Sequence, residues 1–527
     1  MTDFPFTRRH FFYGALLAGA VPAGGFGSVA SLKAAGYKAF NEKLNLAGIG
    51  VGGRGAEDLG GCTSENIVAL CDVDSRQAGP TYRRFPKATQ YSDFRIMLDK
   101  EGANIDACVI ATADHMHATV ALACMERGKG VYVEKPLTRT PWEARLLTDA
   151  AAKYKVATQM GNQGYSHEAQ RTACEIVWSG EIGNVTEVHA VTDAPSWPQG
   201  VQTIPPPDPV PEGLNWDLWL GGAAMRPYTS GGVDTGHPPT GGSVSGPWFY
   251  MPHNWRGFYD FGTGSLGDWG IHTLGPANQS LQLGMPIAVE VIRAEQRSTF
   301  TYPLRAVLRY DFPARGNMPP VSVYWYDGVH GTSLPYLYRP KGLENEVLLP
   351  RTNNLAMEKD RPDLGSTGGR GFGGGQGRGA GRGAAAAAPG AGRAAAQPAR
   401  PSEPTGVLTG SGSIFVGDKG YMATVQRGEG VWLLPAAKWA DYRLPSPVLP
   451  RSPGHYRDFI RACKGGDPTC SNFSVAGPYA EWVTLGAIAY RFEGKLEYDA
   501  KAGRFTNRPE ANQYLKPVFR KGWEPKL

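Results

Sequence analysis

The residues with the most chemical content fall into three groups. In the first, Gly48, Gly50 and Gly53 space out a G-x-G-x-x-G turn that runs on through Gly52, Arg54 and Gly55, and Asp72 stands 19 residues after Gly53. A glycine at position 50 lets the backbone approach a pyrophosphate, and the helix N-terminus that follows stabilises its charge. A carboxylate at the distance of Asp72 hydrogen-bonds a ribose 2′-hydroxyl and repels a 2′-phosphate, which favours NAD. Arg76 nearby would receive that phosphate, so NADP stays open. In the second group, Lys135 follows the apolar run VYV within Glu134-Lys135-Pro136. An ammonium at the carboxyl edge of a sheet stabilises a developing alkoxide, or polarises a carbonyl in the reverse direction. In the third, Asp268 and His272 are four apart and share one face of a helix. A histidine is the natural base for an alcohol proton near neutral pH, and the aspartate orients it or binds a neighbouring hydroxyl. The bland reading of that pair is a capping aspartate and a packed histidine.

Two further clusters are ambiguous by themselves. Asp114, His115 and His117 have the look of metal ligands, but they open a helix behind the strand DACVIAT, and no metal is expected there. Gln159, Asn162 and Gln163 follow the next strand and line the same crevice. Trp216, Trp219, Trp248, Tyr250, Trp255 and Tyr259, with Arg256, suit either a sugar-stacking wall or the packing of long loops and subunits. Both readings stand at this point.

The elements that must hold these residues are legible. LNLAGI, IVALC, DACVIAT, VYVEK and KVATQM are short apolar runs separated by helical stretches such as ATVALACMERG and TPWEARLLTDAAAKY. That alternation predicts a doubly wound parallel sheet, an α/β Rossmann domain over 41–165. After Gly183 the texture becomes strand-like: VTEVHAVTDA, AVEVIRAEQRSTFTY, PPVSVYWYDG, SGSIFVGD, GYMATVQ and GVWLLP, with helices near His455 to Lys464 and Tyr479 to Phe492. This predicts an α+β C-terminal domain over 166–527 with an open, mainly antiparallel sheet. Residues 366–404 are Gly, Ala, Arg and Pro with almost no large apolar side chain, so they read as a disordered insertion.

On the motifs GVGGRG, VIATADHMHA, Glu134-Lys135-Pro136 and GDWGIH, the chain resembles the family of glucose-fructose oxidoreductase, inositol dehydrogenase and MocA. NWDLWLGGAAMRPY and WRGFYDFGTGSLGDWGIH resemble an often exported bacterial branch of it. The resemblance implies that Lys135, Asp268 and His272 contact the reacting alcohol of a sugar-like substrate, with Tyr228, Trp255 and Arg256 beside it. It places Gly48, Gly50, Gly52, Gly53, Arg54, Asp72, Thr112, His115, His117, Glu134, Lys135 and Gln163 around a tightly held NAD or NADP, and it implies a homo-oligomer. Gly275 departs from it, since relatives commonly carry Asp three residues after the histidine. Two other functions compete with a sugar dehydrogenase: a glycosidase or lyase that oxidises its substrate only transiently, and a non-catalytic sugar-binding or assembly protein.

Composition bounds the rest. The chain has 527 residues, 41% hydrophobic, enough for two domains. Residues 1–40 carry +3 and residues 366–404 carry +4, so subtracting both from the total of +6 leaves −1, and nothing draws the folded body to nucleic acid. Arg8-Arg9 before an apolar run predicts a twin-arginine export signal over 1–40 and a periplasmic protein. No other run approaches the ~20 apolar residues of a membrane helix. Seven cysteines without a C-x-x-C exclude a zinc ribbon; Cys463 and Cys470, flanking KGGDPT, are a candidate loop disulfide.

Overall fold

A computed structural model describes residues 38–39, 41–193, 197–230, 249–329, 334–349 and 404–527. The twin-arginine pair with its apolar run, Trp248, and all but the last residue of the 366–404 insertion lie outside them.

The N-terminal strands are β1 (Asn45–Ile49), β2 (Asn66–Cys71), β3 (Thr89–Tyr91), β4 (Ala107–Ile110), β5 (Gly130–Val133) and β6 (Thr158–Met160). They form one parallel sheet in the order β3-β2-β1-β4-β5-β6. Helices α1 (Arg54–Gly61), α2 (Ser75–Arg84), α3 (Phe94–Glu101), α4 (Asp114–Met125) and α5 (Pro141–Tyr154) connect them. Both sheet faces are covered, so β4 and β5 are buried at every residue and read as continuous apolar runs. Local chemistry starts the helices: Asp74 and Asp93 cap α2 and α3, and Thr140 with Glu143 forms a capping box at α5 with Pro141 in its first turn. The strand order reverses between β1 and β4, where doubly wound sheets open a crevice for ligand. The glycine turn sits there.

Helix α6 (Glu168–Trp178) leads into the second domain. Its strands are β7 (Val185–Asp193), β8 (Ala288–Glu295), β9 (Arg305–Phe312), β10 (Val321–Val329), β11 (Gly412–Gly417), β12 (Gly420–Val425), β13 (Gly430–Leu434), β14 (Gly494–Asp499) and β15 (Arg504–Phe505). The order is β13-β12-β11-β7-β10-β9-β8-β14-β15, antiparallel except for β7 against β10. This is the open, mainly antiparallel sheet of an α+β domain, as the strand-like texture predicts.

Two segments cross back to the Rossmann domain. Helix α7 (His455–Cys463) seats Phe459 and Ile460 in one apolar cluster with Leu46, Leu70, Val109 and Tyr132. The described part of the passage from Trp197 to Asp268 holds little regular structure and builds a core of its own from Trp216, Trp219, Tyr228, Tyr250, Trp255 and Phe261. It is tied across the carboxyl ends of β2 and β4: Ser75 N–H donates to Gly213 O (2.9 Å), Asn215 N–H to Val73 O (2.8 Å), and His115 N–H to Phe261 O (3.1 Å). The expected loop disulfide does not form. Cys463 faces Gly130 while the Cys470 sulfur lies 3.2 Å from Ser166 Oγ, so the two thiols pack against different neighbours.

Candidate active site

The glycine turn is shaped by close approach. Gly50 has φ +78°, and a Cβ there would lie 2.7 Å from the backbone carbon and oxygen of Ala111, so no side chain fits. Gly53, the residue before α1, has φ +49° and faces open space. Asp72 braces the turn from β2: its Oδ2 accepts the N–H groups of Val51 (2.8 Å) and Gly52 (3.0 Å), and its Oδ1 that of Asp74 (2.9 Å). Burial raises the Asp72 carboxyl, and these backbone donors oppose the rise. The same carboxylate lines a cleft of about 600 Å³, walled by Val73, Tyr82 and Tyr91 on one side and by Gly213 to Trp216 of the crossing passage on the other. Arg76 is not free for a 2′-phosphate in this arrangement, because its Nε and Nη2 grip both oxygens of Asp74 at 2.8 and 2.7 Å. Thr112 Oγ1 is buried with no partner among the described residues, a polar group open to a ligand. A glycine turn with no room for a side chain at Gly50, a carboxylate in the cleft and an unmatched hydroxyl fit a dinucleotide.

Arg54 and Glu134 join the turn to Lys135. Arg54 Nε lies 3.0 Å from Glu134 Oε1 and its Nη2 lies 2.9 Å from Asp58, both carboxylates buried. Gln163 Nε2 and the Tyr132 hydroxyl donate to the same Glu134 oxygen at 3.1 and 3.3 Å, and Glu134 Oε2 accepts the Lys135 N–H at 3.1 Å. Burial would raise Glu134; Arg54 and Lys135 outweigh it and hold the carboxyl below its usual range.

Lys135 Nζ lies 2.6 Å from Asp268 Oδ1, which bridges the two domains. Arg256 Nε reaches that oxygen too, at 2.9 Å, so one carboxylate carries two cations. Burial opposes ionisation of Asp268, yet Lys135 and Arg256 together hold it far below the usual carboxylate range. Asp268 sits in a π-helical turn, Leu266–Gly270, where Gly267 packs so tightly on Thr263 that a Cβ would lie 1.9 Å from its Oγ1. Such turns re-aim side chains at functional sites. His272 follows, buried, with Nδ1 lacking a hydrogen-bond partner among the described residues. Burial first, then Lys135 and Arg427, push its pKa well below the ordinary histidine value, so the imidazole is neutral at neutral pH. At Gly275 a Cβ would come within 3.0 Å of the Tyr165 ring, so the aspartate common in relatives would displace Tyr165.

The remaining expected residues take supporting places. His117 turns Nδ1 to Pro136 O (2.8 Å) and Nε2 to Thr112 O (3.1 Å), coupling the Lys135 loop to the β4 turn. His115 Nε2 lies 3.1 Å from Trp219 O, its ring packs on Trp219 and Phe261, and burial takes its pKa down to about 3. Among the described residues, no group of three His, Cys, Asp or Glu is placed to hold a metal. Trp255 is buried under the Arg256 guanidinium, 4.3 Å from its ring, and Tyr228 packs edge-on against Trp216 at 5.3 Å. For most of these aromatics the packing reading is the one seen. Asp114, named from sequence only for its likeness to a metal ligand, and two residues that sequence reasoning did not reach, His253 and Arg427, complete the surroundings. Asp114, buried and bonded to Thr263 Oγ1 (2.9 Å), is pushed up to about 7 by burial, against the pull of Arg256. His253 meets Arg256 Nη1 at 2.9 Å. Arg427 comes from the β12–β13 turn, 155 residues beyond His272, and no local pattern announces it.

Comparison with known proteins agrees with this architecture. Residues 44–162 match a family described as "Oxidoreductase family, NAD-binding Rossmann fold", and residues 187–312 match its "C-terminal alpha/beta domain". Inositol 2-dehydrogenase 2 of Saccharopolyspora erythraea is 29% identical over 153 residues, 28% of this chain and 44% of that one. Levoglucosan dehydrogenase of Pseudarthrobacter phenanthrenivorans is 29% identical over 116 residues, 22% and 29% of the two chains. The chain thus spans less than half the length of these relatives. Among solved structures, the WlbA dehydrogenase from Bordetella pertussis in complex with NADH and UDP-GlcNAcA superposes with a TM-score of 0.51 at 12% identity, covering 87% of this chain and 99% of that one, a likeness of fold. The two parts of this oxidoreductase family are thus matched in order, one on each domain, a similarity confined to residues 44–162 and 187–312.

Proposed function

We propose that the protein is an NAD-dependent oxidoreductase acting on a secondary hydroxyl of a sugar or cyclitol. The observation that carries the reading is the meeting of Lys135, Asp268 and His272 at the carboxyl edge of the Rossmann sheet, with Lys135 2.6 Å from Asp268 and His272 neutral and unpartnered beside them. The inositol and levoglucosan dehydrogenases among its relatives support the substrate class. NAD, when bound, supplies the hydride acceptor. The chain does the rest. His272 accepts the hydroxyl proton, and Lys135 donates a hydrogen bond to the oxygen as it becomes a carbonyl. Asp268 fixes Lys135 in place, while Arg256 steadies Asp268 from the other side. Asp72 in the cleft, with Arg76 held by Asp74, supports NAD over NADP.

The reading extends to an exported, periplasmic protein, supported by Arg8-Arg9 and the apolar run after them. It also includes self-association, supported by the family resemblance. Free NAD is scarce outside the cytoplasm, so an exported enzyme of this kind must be loaded first and keep its cofactor. The passage bonded across Val73 and Ser75 supports such retention by walling the cleft. The test is to purify the protein from the exported fraction, dialyse it extensively, and identify retained dinucleotide by mass spectrometry before screening sugars and cyclitols for NADH formation. Retained NAD and net reduction are expected. Bond cleavage without net NADH would replace a dehydrogenase by a glycosidase or lyase, and an empty protein with millimolar NAD affinity would overturn retention and export together.

A further inference from the structure

Beside His272 lies a group of residues that the reaction does not use. Trp269, half-buried, packs on His272 with ring centroids 6.3 Å apart. The Arg427 guanidinium lies 5.8 Å from the Trp269 ring centre, and Arg427 is one of the two cations that most disfavour a charge on His272. Its backbone is locked from below: a Cβ on Gly164 would come within 1.9 Å of Arg427 O, and Gly428 abuts Pro276. The β12–β13 turn is therefore seated against the Gln163–Ser166 turn and the helix after His272, and it presents Arg427 to the site as a fixed group.

Arg427 differs from its neighbouring cations in having no ion pair among the described residues. Lys135 and Arg256 end on Asp268, Arg54 ends on Glu134 and Asp58, and Arg76 ends on Asp74. Among the described residues no carboxylate lies within salt-bridge distance of Arg427. The acid nearest in sequence is Glu429, beyond salt-bridge distance, which burial pushes toward its neutral form against the pull of Arg427. A half-buried guanidinium with unused donors, next to an indole face and the unpartnered Nδ1 of His272, is a place where a planar anion gains charge-assisted hydrogen bonds while an attached ring stacks on the indole.

Resting on the sugar-oxidoreductase reading, we propose that the substrate is an anionic sugar, its carboxylate or phosphate bound by Arg427 and its ring against Trp269, with the reacting hydroxyl between Lys135 and His272.

The test is calorimetric binding of D-glucuronate, D-glucose 6-phosphate and D-glucose to the NAD-loaded protein, for the native chain, Arg427→Gln and Arg427→Lys, alongside NADH formation. At least one anion should bind tenfold or more tighter than glucose, and the better of the two identifies carboxylate or phosphate. Arg427→Gln should bring that ratio close to one, and Arg427→Lys should keep a good part of it. Equal affinity for glucose and both anions in the native chain overturns the proposal, as does an anion preference that survives Arg427→Gln. Tight anion binding without NADH formation from any of the three would leave the anion site standing and count against the dehydrogenase. Oxidation of glucose with no anion preference would do the reverse.

Discussion

At the scale of single residues, the site works by setting charge states. Asp268 is ionised because two cations share it, and His272 is neutral because burial and cations surround it. Lys135→Ala should therefore leave cofactor content near normal and lower turnover by about 10²–10³, the cost of losing one donor to a developing oxyanion; unchanged turnover removes Lys135 from the chemistry. His272→Ala should lower turnover comparably near pH 7, and the defect should shrink at high pH as hydroxide replaces the base. A defect of constant size across pH would assign His272 to binding. Asp114 offers a thermodynamic check. Its folded pKa of about 7 lies above the ordinary 3.8, so its contribution to stability is fully present below pH ~4 and is lost as pH rises toward 7. Asp327, also near 7, acts in the same direction. Melting temperatures of Asp114→Asn should fall less between pH 4 and 7 than those of the native chain, and an unaltered slope would leave the effect to other groups.

At the scale of elements, the β1–α1 turn and α7 are the pieces whose fit decides most. Gly50→Ala would add a Cβ 2.7 Å from Ala111 at a φ of +78°, so it should strip the bound dinucleotide, and retention of NAD through dialysis in that variant would contradict the close-approach argument. Phe459 of α7 is fully buried among Rossmann residues. Phe459→Ala should cost about 3–5 kcal/mol, measured by denaturant unfolding, although the helix begins 290 residues beyond the end of the domain it supports. The sequence announced α7 almost to the residue by its flanking glycines and polar turns. It located α8 (Phe473–Ala489) only from Tyr479 onward, because Pro478 stands inside the helix and reads as a breaker.

At the scale of the whole molecule, the insertion at 366–404 and the crossing passage have opposite consequences. The chain on either side of the insertion is tied together, Gly406 N–H to Glu346 O (2.9 Å) and Leu408 N–H to Tyr338 O (3.0 Å), so the loop is closed without it. Replacing 366–404 by a short flexible linker should shift Tm by no more than a few degrees, and loss of folding would show that these residues pack. The crossing passage holds a core of its own and one wall of the cleft, and it tolerates no such removal.

What the sequence determined by itself was whatever depends on neighbours along the chain. Alternating apolar runs and helices set the Rossmann sheet, glycine spacing with Asp72 set the dinucleotide turn, and Lys135 stood out by its place after a strand, while Asp268 and His272 stood out through the family resemblance. Short β3 has one aromatic among polar residues, and β14 and β15 carry no run long enough to signal, so they were missed. Only the tertiary structure could show that Asp72 braces the turn, that Arg76 is held by Asp74, and that the aromatics of the crossing passage chiefly pack one another. The same holds for Arg427, delivered to His272 from a distant hairpin. Charge pairing and burial are properties of space, and residues brought together by folding over hundreds of positions leave no periodic trace in the chain.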